Sequence, residues 1–278
     1  MSSPAYYNFD AADADLILLS SDDVEFRVHR CILAAASPFF SDMFTLPQPR
    51  VASDPDNITI PVISVSELRQ TLDSLLRFVY PIQDPPIHTL DELNPILGSA
   101  FKYDFPSVIS ALRKILVAPH FLESSPTRVF AIASRHDLEP EAKLASRYTL
   151  TVRVLDCPIS DDLKHITAHS YHRLLDLHKR RSESAQELLK IPEEVKCIQC
   201  NGNGSIRTFS PPKWWHVWEA MAREELAARP TTDVIFEMAF LAKAADSTRC
   251  TRCAGSVLDS HVFLGELKRK IDALPTTI

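Results

Sequence analysis

Four of the six cysteines in this 278-residue chain stand in two C-x-x-C pairs, Cys197 and Cys200 in "CIQC" and Cys250 and Cys253 in "CTRC". A C-x-x-C turn can aim two thiolates at one point, and two such turns complete a tetrahedron around Zn²⁺. The chain has five glycines, and three of them, Gly202, Gly204 and Gly255, follow these pairs. A knuckle turn favours residues that tolerate positive φ, which gives glycine there a mechanism. Four thiolates leave no coordination position for a substrate water, so the expected zinc is structural and not catalytic. Buried free thiols are the plain alternative. A redox dithiol of thioredoxin type needs a βαβ frame that is missing here.

The other residues capable of chemistry point to packing. His165, His169 and His172 fall at i, i+4, i+7 and could share a helix face, but no third ligand type accompanies them. Trp214, Trp215 and Trp218 have the helical spacing of a core stripe, and Cys31 and Cys157 read as packing residues. There is no phosphate loop, no G-x-S-x-G, no convincing triad and no H-x-E deaminase pattern, so no enzyme is expected.

The elements that must position these residues follow from pattern. "DLILL" and "VEFRVH" read as a β-hairpin around "SDD", with Val24, Phe26 and Val28 on one face. "RCILAAA" is a helix, and Ser37-Pro38 caps the next one, in which Phe40, Met43 and Phe44 fall at i, i+3, i+4. "QPRVASDPDN" is a loop and "ITIPV" a third strand. Capping boxes at Ser64–Glu67 and Thr89–Glu92 open two more helices, and "FPSVISALRKIL" forms another. From about residue 119 the pattern is helical throughout. A second Ser-Pro cap opens "SPTRVFAIASRH", and one long helix is expected over "SDDLKHITAHSYHRLLDLHKRR", whose "HKRR" end should be solvated. The 49 residues between Cys200 and Cys250 hold two helical runs, so the metal would staple the start of that hairpin to its end. The second cysteine pair should sit just before a last helix that begins near Val257.

Composition bounds the function. At 45% hydrophobic and 24% charged, the chain is globular, and its net charge of −6 disfavours generic binding to nucleic acid or to anionic membranes. No apolar run approaches the roughly 18 residues of a membrane span, and the acidic N-terminus lacks a signal-peptide core. The expected compartment is the cytosol or nucleus, where thiols stay reduced.

The stretch "DLILLSSDDVEFRVHRCILAAASPFFSDMF" resembles the N-terminal half of the BTB/POZ family, and the likeness continues through "ITIPVIS", "FVYP" and "ILGSAFKYDF". It covers residues 12–118. The resemblance implies an α+β fold, a helical cluster on a small sheet, that acts by protein–protein association. Residues 119–190 look like a helical BACK-type extension, and 191–278 would be an all-α region clipped by zinc. By position, the family's charged pocket and dimer surface fall on Asp15, His29, Arg30, Phe39, Phe40, Met43 and Phe44, with Asp15 and Arg30 as its acidic and basic pair. His29 reads as a hydrogen-bonded strand-end histidine. "CIQCNGNG" is similar to one zinc repeat of the J-protein cochaperones, from which only the turn chemistry carries over.

The first functional reading is a non-enzymatic interaction protein, a BTB homodimer or heterodimer that presents its C-terminal region as a scaffold. The second is a substrate adaptor of a cullin ubiquitin ligase. Cullin-binding members carry an acidic residue shortly after the Phe-rich helix, where this chain has "TLPQPR", so weak or no cullin binding is expected. A transcriptional regulator ranks third, because no basic recognition helix is present.

Overall fold

The computed structural model describes residues 9–46, 60–201 and 210–278. The expected "QPRVASDPDN" loop, the start of "ITIPV", Pro47 and Gln48, Gly202 and Gly204 lie outside these residues. The chain divides into two compact units, Met1–Phe121 and Leu122–Ile278.

In the first unit, β1 (Leu16–Leu19) and β2 (Glu25–Val28) pair antiparallel, with Leu16 opposite Val28 and Leu18 opposite Phe26. Phe26 and Val28 point inward while Glu25 and Arg27 face solvent, the alternation that the sequence requires. Asp23 takes a left-handed conformation, φ 59°, to close the turn. β3 (Val62–Ser64) adds to β1 in parallel, giving the order β2-β1-β3. It starts later than "ITIPV" suggests. Pro61 has no N–H to give, and its carbonyl accepts the Ile17 N–H at 2.9 Å.

The described residues of this unit also form five helices that pack on one another: α1 (Arg30–Ala36), α2 (Pro38–Thr45), α3 (Arg69–Val79), α4 (Leu90–Lys102) and α5 (Pro106–Leu116). Leu33, Leu72, Leu93, Leu97 and Leu112 are each at most 1% exposed. Each such leucine contributes about 1.5–3 kcal/mol by leaving water. Ser37 caps α2 as expected, accepting the Phe40 N–H, and its own hydroxyl donates to the Tyr103 carbonyl at 2.6 Å. The Thr89–Glu92 capping box is present in both directions.

The Ser64–Glu67 box is not. Ser64 belongs to β3, and Glu67 is held by the Tyr103 hydroxyl and the Lys102 ammonium. α3 instead starts after Leu68, and the Asp22 carboxylate, from the hairpin turn, accepts the Arg69 N–H at 2.7 Å. Asp15 does the same for α1, accepting the Arg30 N–H at 2.8 Å. Two aspartates of the hairpin therefore cap two helices that are remote from them in sequence.

α6 (Pro119–Ser124) spans the division between the units. The second unit is helical: α7 (Pro126–Arg135), α8 (Glu139–Thr149), a 3-10 turn (Asp161–His165), α9 (Ala168–Glu187), α10 (Lys213–Ala228), α11 (Met238–Asp246), α12 (Cys253–Asp259) and α13 (His261–Asp272). Ser125 precedes α7, but its side chain makes no cap hydrogen bond. The long helix expected from Ser160 is broken. Ile166 is extended, and Thr167 caps α9 by accepting the Ser170 N–H. His165 therefore sits in the 3-10 turn, off the helix that carries His169 and His172.

The "HKRR" run is only partly solvated: Lys179 and Arg180 are exposed, but the run does not end the helix. α9 continues to Glu187, and Arg181, 5% exposed, donates to the carbonyls of Pro230, Ile271, Leu274 and Pro275. Its positive charge sits at the carbonyl end of α13, where the helix dipole favours it. Among the described residues, no helix is long and apolar enough to cross a membrane.

Candidate functional site

The two cysteine pairs meet at one point of the second unit. The first pair lies in the turn after α9. There the Cys197 N–H donates to the Asn201 side-chain oxygen at 2.6 Å, and the Asn201 N–H donates back to the Cys197 carbonyl at 3.1 Å. The second pair follows α11. Arg249 is left-handed, φ 54°, and the Cys250 N–H donates to the Thr248 hydroxyl. Cys253 is already the first residue of α12. Positive φ is thus supplied by Arg249. Gly255 lies inside α12 with an ordinary φ, so it is not the turn residue that the sequence suggested. The hydroxyl of Thr251 donates to the Gln199 side-chain oxygen at 2.8 Å and ties the two turns together.

The four sulfurs all lie within 4.8 Å of one another. Cys197 Sγ is 3.7 Å from Cys250 Sγ, and Cys200 Sγ is 3.9 Å from Cys253 Sγ. A disulfide would need about 2.05 Å. A tetrahedral ion with metal–sulfur bonds of about 2.3 Å requires sulfurs about 3.8 Å apart. The donor set and its spacing therefore fit a four-thiolate metal ion.

Backbone N–H groups converge on these sulfurs. The Lys213 N–H, first in α10, donates to Cys200 Sγ at 3.4 Å, and the Trp214 N–H reaches Cys253. The Arg252 N–H reaches Cys250 and holds its thiol below the usual range. The first N–H groups of a helix have no intrahelical partner and favour negative charge. The second pair does not stand just before the last helix, as the sequence suggested: Cys253 opens the short α12, the last helix α13 starts at His261, and the start of α10 supplies most of these N–H groups. Burial pushes the Cys200 thiol up to about 12 and also raises Cys253. Without a metal these two would keep their protons. A bound dication would displace them.

Behind the sulfurs stands Ser256, 5% exposed. Its hydroxyl donates to the Lys196 carbonyl at 2.9 Å and accepts the Trp214 indole N–H at 3.0 Å. It joins the residue before the first pair, the helix after it and the helix of the second pair. Trp214, Trp215 and Trp218 are at most 1% exposed and form the core beside the cluster, as their spacing suggested. Sequence reading found the four cysteines but neither Asn201 nor Ser256. Asn201 could have been noticed as an Asx residue directly after the first pair. Ser256 has no sequence signal, because its partners lie 42 and 60 residues away.

Among the described residues, the cysteine cluster is where metal-ligating side chains gather. The three histidines are not part of it. Cys157 is partly exposed, and Cys31 is exposed, so Cys31 is not the packing residue its isolation suggested.

In the first unit, Asp15 meets Arg30 through the backbone. The Arg30 guanidinium lies over the Phe44 ring, 4.6 Å from its centroid. The expected carboxylate–guanidinium pairing is replaced by a helix cap plus a cation–π contact. His29 is hydrogen-bonded at the strand end: its N–H donates to the Tyr80 hydroxyl at 2.8 Å, and its ring Nε2 lies 3.3 Å from Asp13. Phe40 is 2% exposed and stacks near Tyr103 and Phe105, so it belongs to the core. Phe39 is 43% exposed, and Met43 and Phe44 are half-buried.

Comparison with the curated proteins finds no match to the chain. The family comparison does find one: residues 9–120 match the BTB/POZ domain. The match starts at the buried Phe9 and runs past α5, and so takes in the hairpin, both aspartate-capped helices and the α4–α5 pair. The N-terminal unit of this chain thereby belongs to the BTB/POZ domain family, a protein–protein interaction module.

Proposed function

We propose that this chain is a non-enzymatic interaction protein that self-associates, or pairs with another BTB protein, through its first unit and presents its second unit as a scaffold. Three regions divide the labour: 12–118 for association, 119–190 as a BACK-like extension, and 191–278 clipped by one structural Zn²⁺ on Cys197, Cys200, Cys250 and Cys253. α9 lends Ala185, and Leu189 just after its end, to the core of the last region. The observation that carries this reading is the four-sulfur cluster beside a packed tryptophan core, in a chain whose other unit is an interaction module. Four thiolates without an open position suit a strut and not a catalyst. A cluster of reduced thiols also suits the cytosol or nucleus.

The association surface we assign to α2 and its C-cap, where Phe39 and Leu46 expose 43% and 61% of their surface, beside Arg30 over Phe44 and Asp15 on the Arg30 N–H. Sedimentation of the full chain at micromolar concentration should give a dimer, and Phe39→Asp should shift it toward monomer. A wild-type chain that stays strictly monomeric would remove self-association. Submicromolar binding of a cullin N-terminal region would put the adaptor reading first.

A further inference from the structure

Two sulfur–sulfur contacts cross from one turn to the other, Cys197 to Cys250 at 3.7 Å and Cys200 to Cys253 at 3.9 Å, inside a cluster whose four sulfurs all lie within 4.8 Å of one another. We infer that the cluster has a second closed form, in which a peroxide-class oxidant converts the four thiolates into the disulfides Cys197–Cys250 and Cys200–Cys253 and expels the metal while the clip stays shut. This deepens the zinc reading of the same site and rests on it.

Closing each pair to a disulfide moves each sulfur by roughly 0.9 Å. Access is uneven: Cys200 and Cys250 are partly exposed, while Cys197 and Cys253 are at most 1% exposed. Each short contact therefore joins one reachable sulfur to one sheltered sulfur. The reachable thiolate attacks hydrogen peroxide, the O–O bond breaks, and a sulfenic acid and one hydroxide form. The sheltered thiolate then attacks that sulfur, forms the S–S bond and releases the second hydroxide. Each pair gives up two electrons to one peroxide. Two peroxides consume all four thiolates, and the metal leaves because no thiolate remains to hold it.

The consequence differs from that of chelation. Removing the metal from reduced thiols opens the connection between the turn after α9 and the start of α12. Oxidation across the turns replaces four metal–sulfur bonds with two covalent links between those same points. The second unit would keep its fold under both reducing and oxidising conditions.

The test uses the full chain, zinc-loaded and titrated with hydrogen peroxide. Zinc release is followed with a chromophoric chelator, the linkages by peptide mapping without reductant, and the fold of 191–278 by limited proteolysis. The expected result is zinc release complete at about two peroxides per chain, peptides linked Cys197–Cys250 and Cys200–Cys253, and unchanged protease resistance. Disulfides within the motifs, Cys197–Cys200 and Cys250–Cys253, would overturn the inference. So would sulfinic acids with rapid cleavage of 191–278. A parallel arm oxidises the reduced chain after chelation. If the purified chain carries no metal yet forms the crossed pairs, the zinc reading fails and the pairing stands.

Discussion

Ser256 shows how much of a candidate metal site lies outside its four cysteines. Its hydroxyl is the joint at which Lys196, Trp214 and α12 meet, one helical turn after Cys253. Ser256→Ala should leave the Trp214 indole N–H and the Lys196 carbonyl buried without that partner, at a cost of about 1–3 kcal/mol. Loosening the support of both turns should also weaken the metal by roughly 10–100-fold, read by competition with a chelator of known affinity. Unchanged affinity would mean that the turns hold their shape without it. The cysteines themselves were legible because C-x-x-C is a local pattern with a local purpose. The serine was not, because a hydroxyl that joins three distant segments looks in sequence like any other serine. Arg181 is the same lesson with the opposite surprise. A basic run looks solvated, yet this arginine is buried by the carbonyls that it caps.

At the level of elements, caps decide what could be read. Ser37 and the Thr89–Glu92 box are closed by partners within three residues, and both were legible. The Ser64–Glu67 box had the same letters and failed, because β-pairing claimed Ser64 and Tyr103 with Lys102 claimed Glu67. Tertiary partners outbid a local motif, and the α3 cap passed to Asp22, 47 residues from Arg69. Asp22→Ala should therefore lower the urea midpoint of the first unit. Ser64→Ala should stay within about 0.5 kcal/mol. Urea denaturation of both variants makes the comparison, and the reverse order would restore the local box. The break before α9 was missed for a related reason. Thr167 is an N-cap inside a run whose apolar spacing reads as continuous.

For the whole molecule, the two units should respond differently to acid and to loss of metal. His136 and His178 both lie in the second unit, and burial lowers each to about 4, with Arg135 also acting on His136. Both are neutral in the fold, while the unfolded chain takes up protons near the ordinary value of 6.5. Between these values the unfolded state binds more protons, so stability is full above pH 6.5 and falls as the pH drops toward 4. Thermal unfolding at fixed excess zinc should show this decline, and His178→Gln should make it shallower; an unchanged slope would assign the acid sensitivity elsewhere. The overall plan was legible: a small sheet with helices, then helices alone, because alternation and helical periodicity change visibly along the chain. The convergence of α10 on the cysteines was not, since only the fold brings its first N–H groups to those sulfurs.

The most direct test of the account is native mass spectrometry of the full chain, purified without chelator. The expected species is two chains carrying two zinc ions, and Cys250→Ser should lose the metal, leave 191–278 protease-sensitive and keep the first unit folded. A monomer with one zinc would contradict self-association. A metal-free wild-type chain with an intact, protease-resistant second unit would contradict the clip.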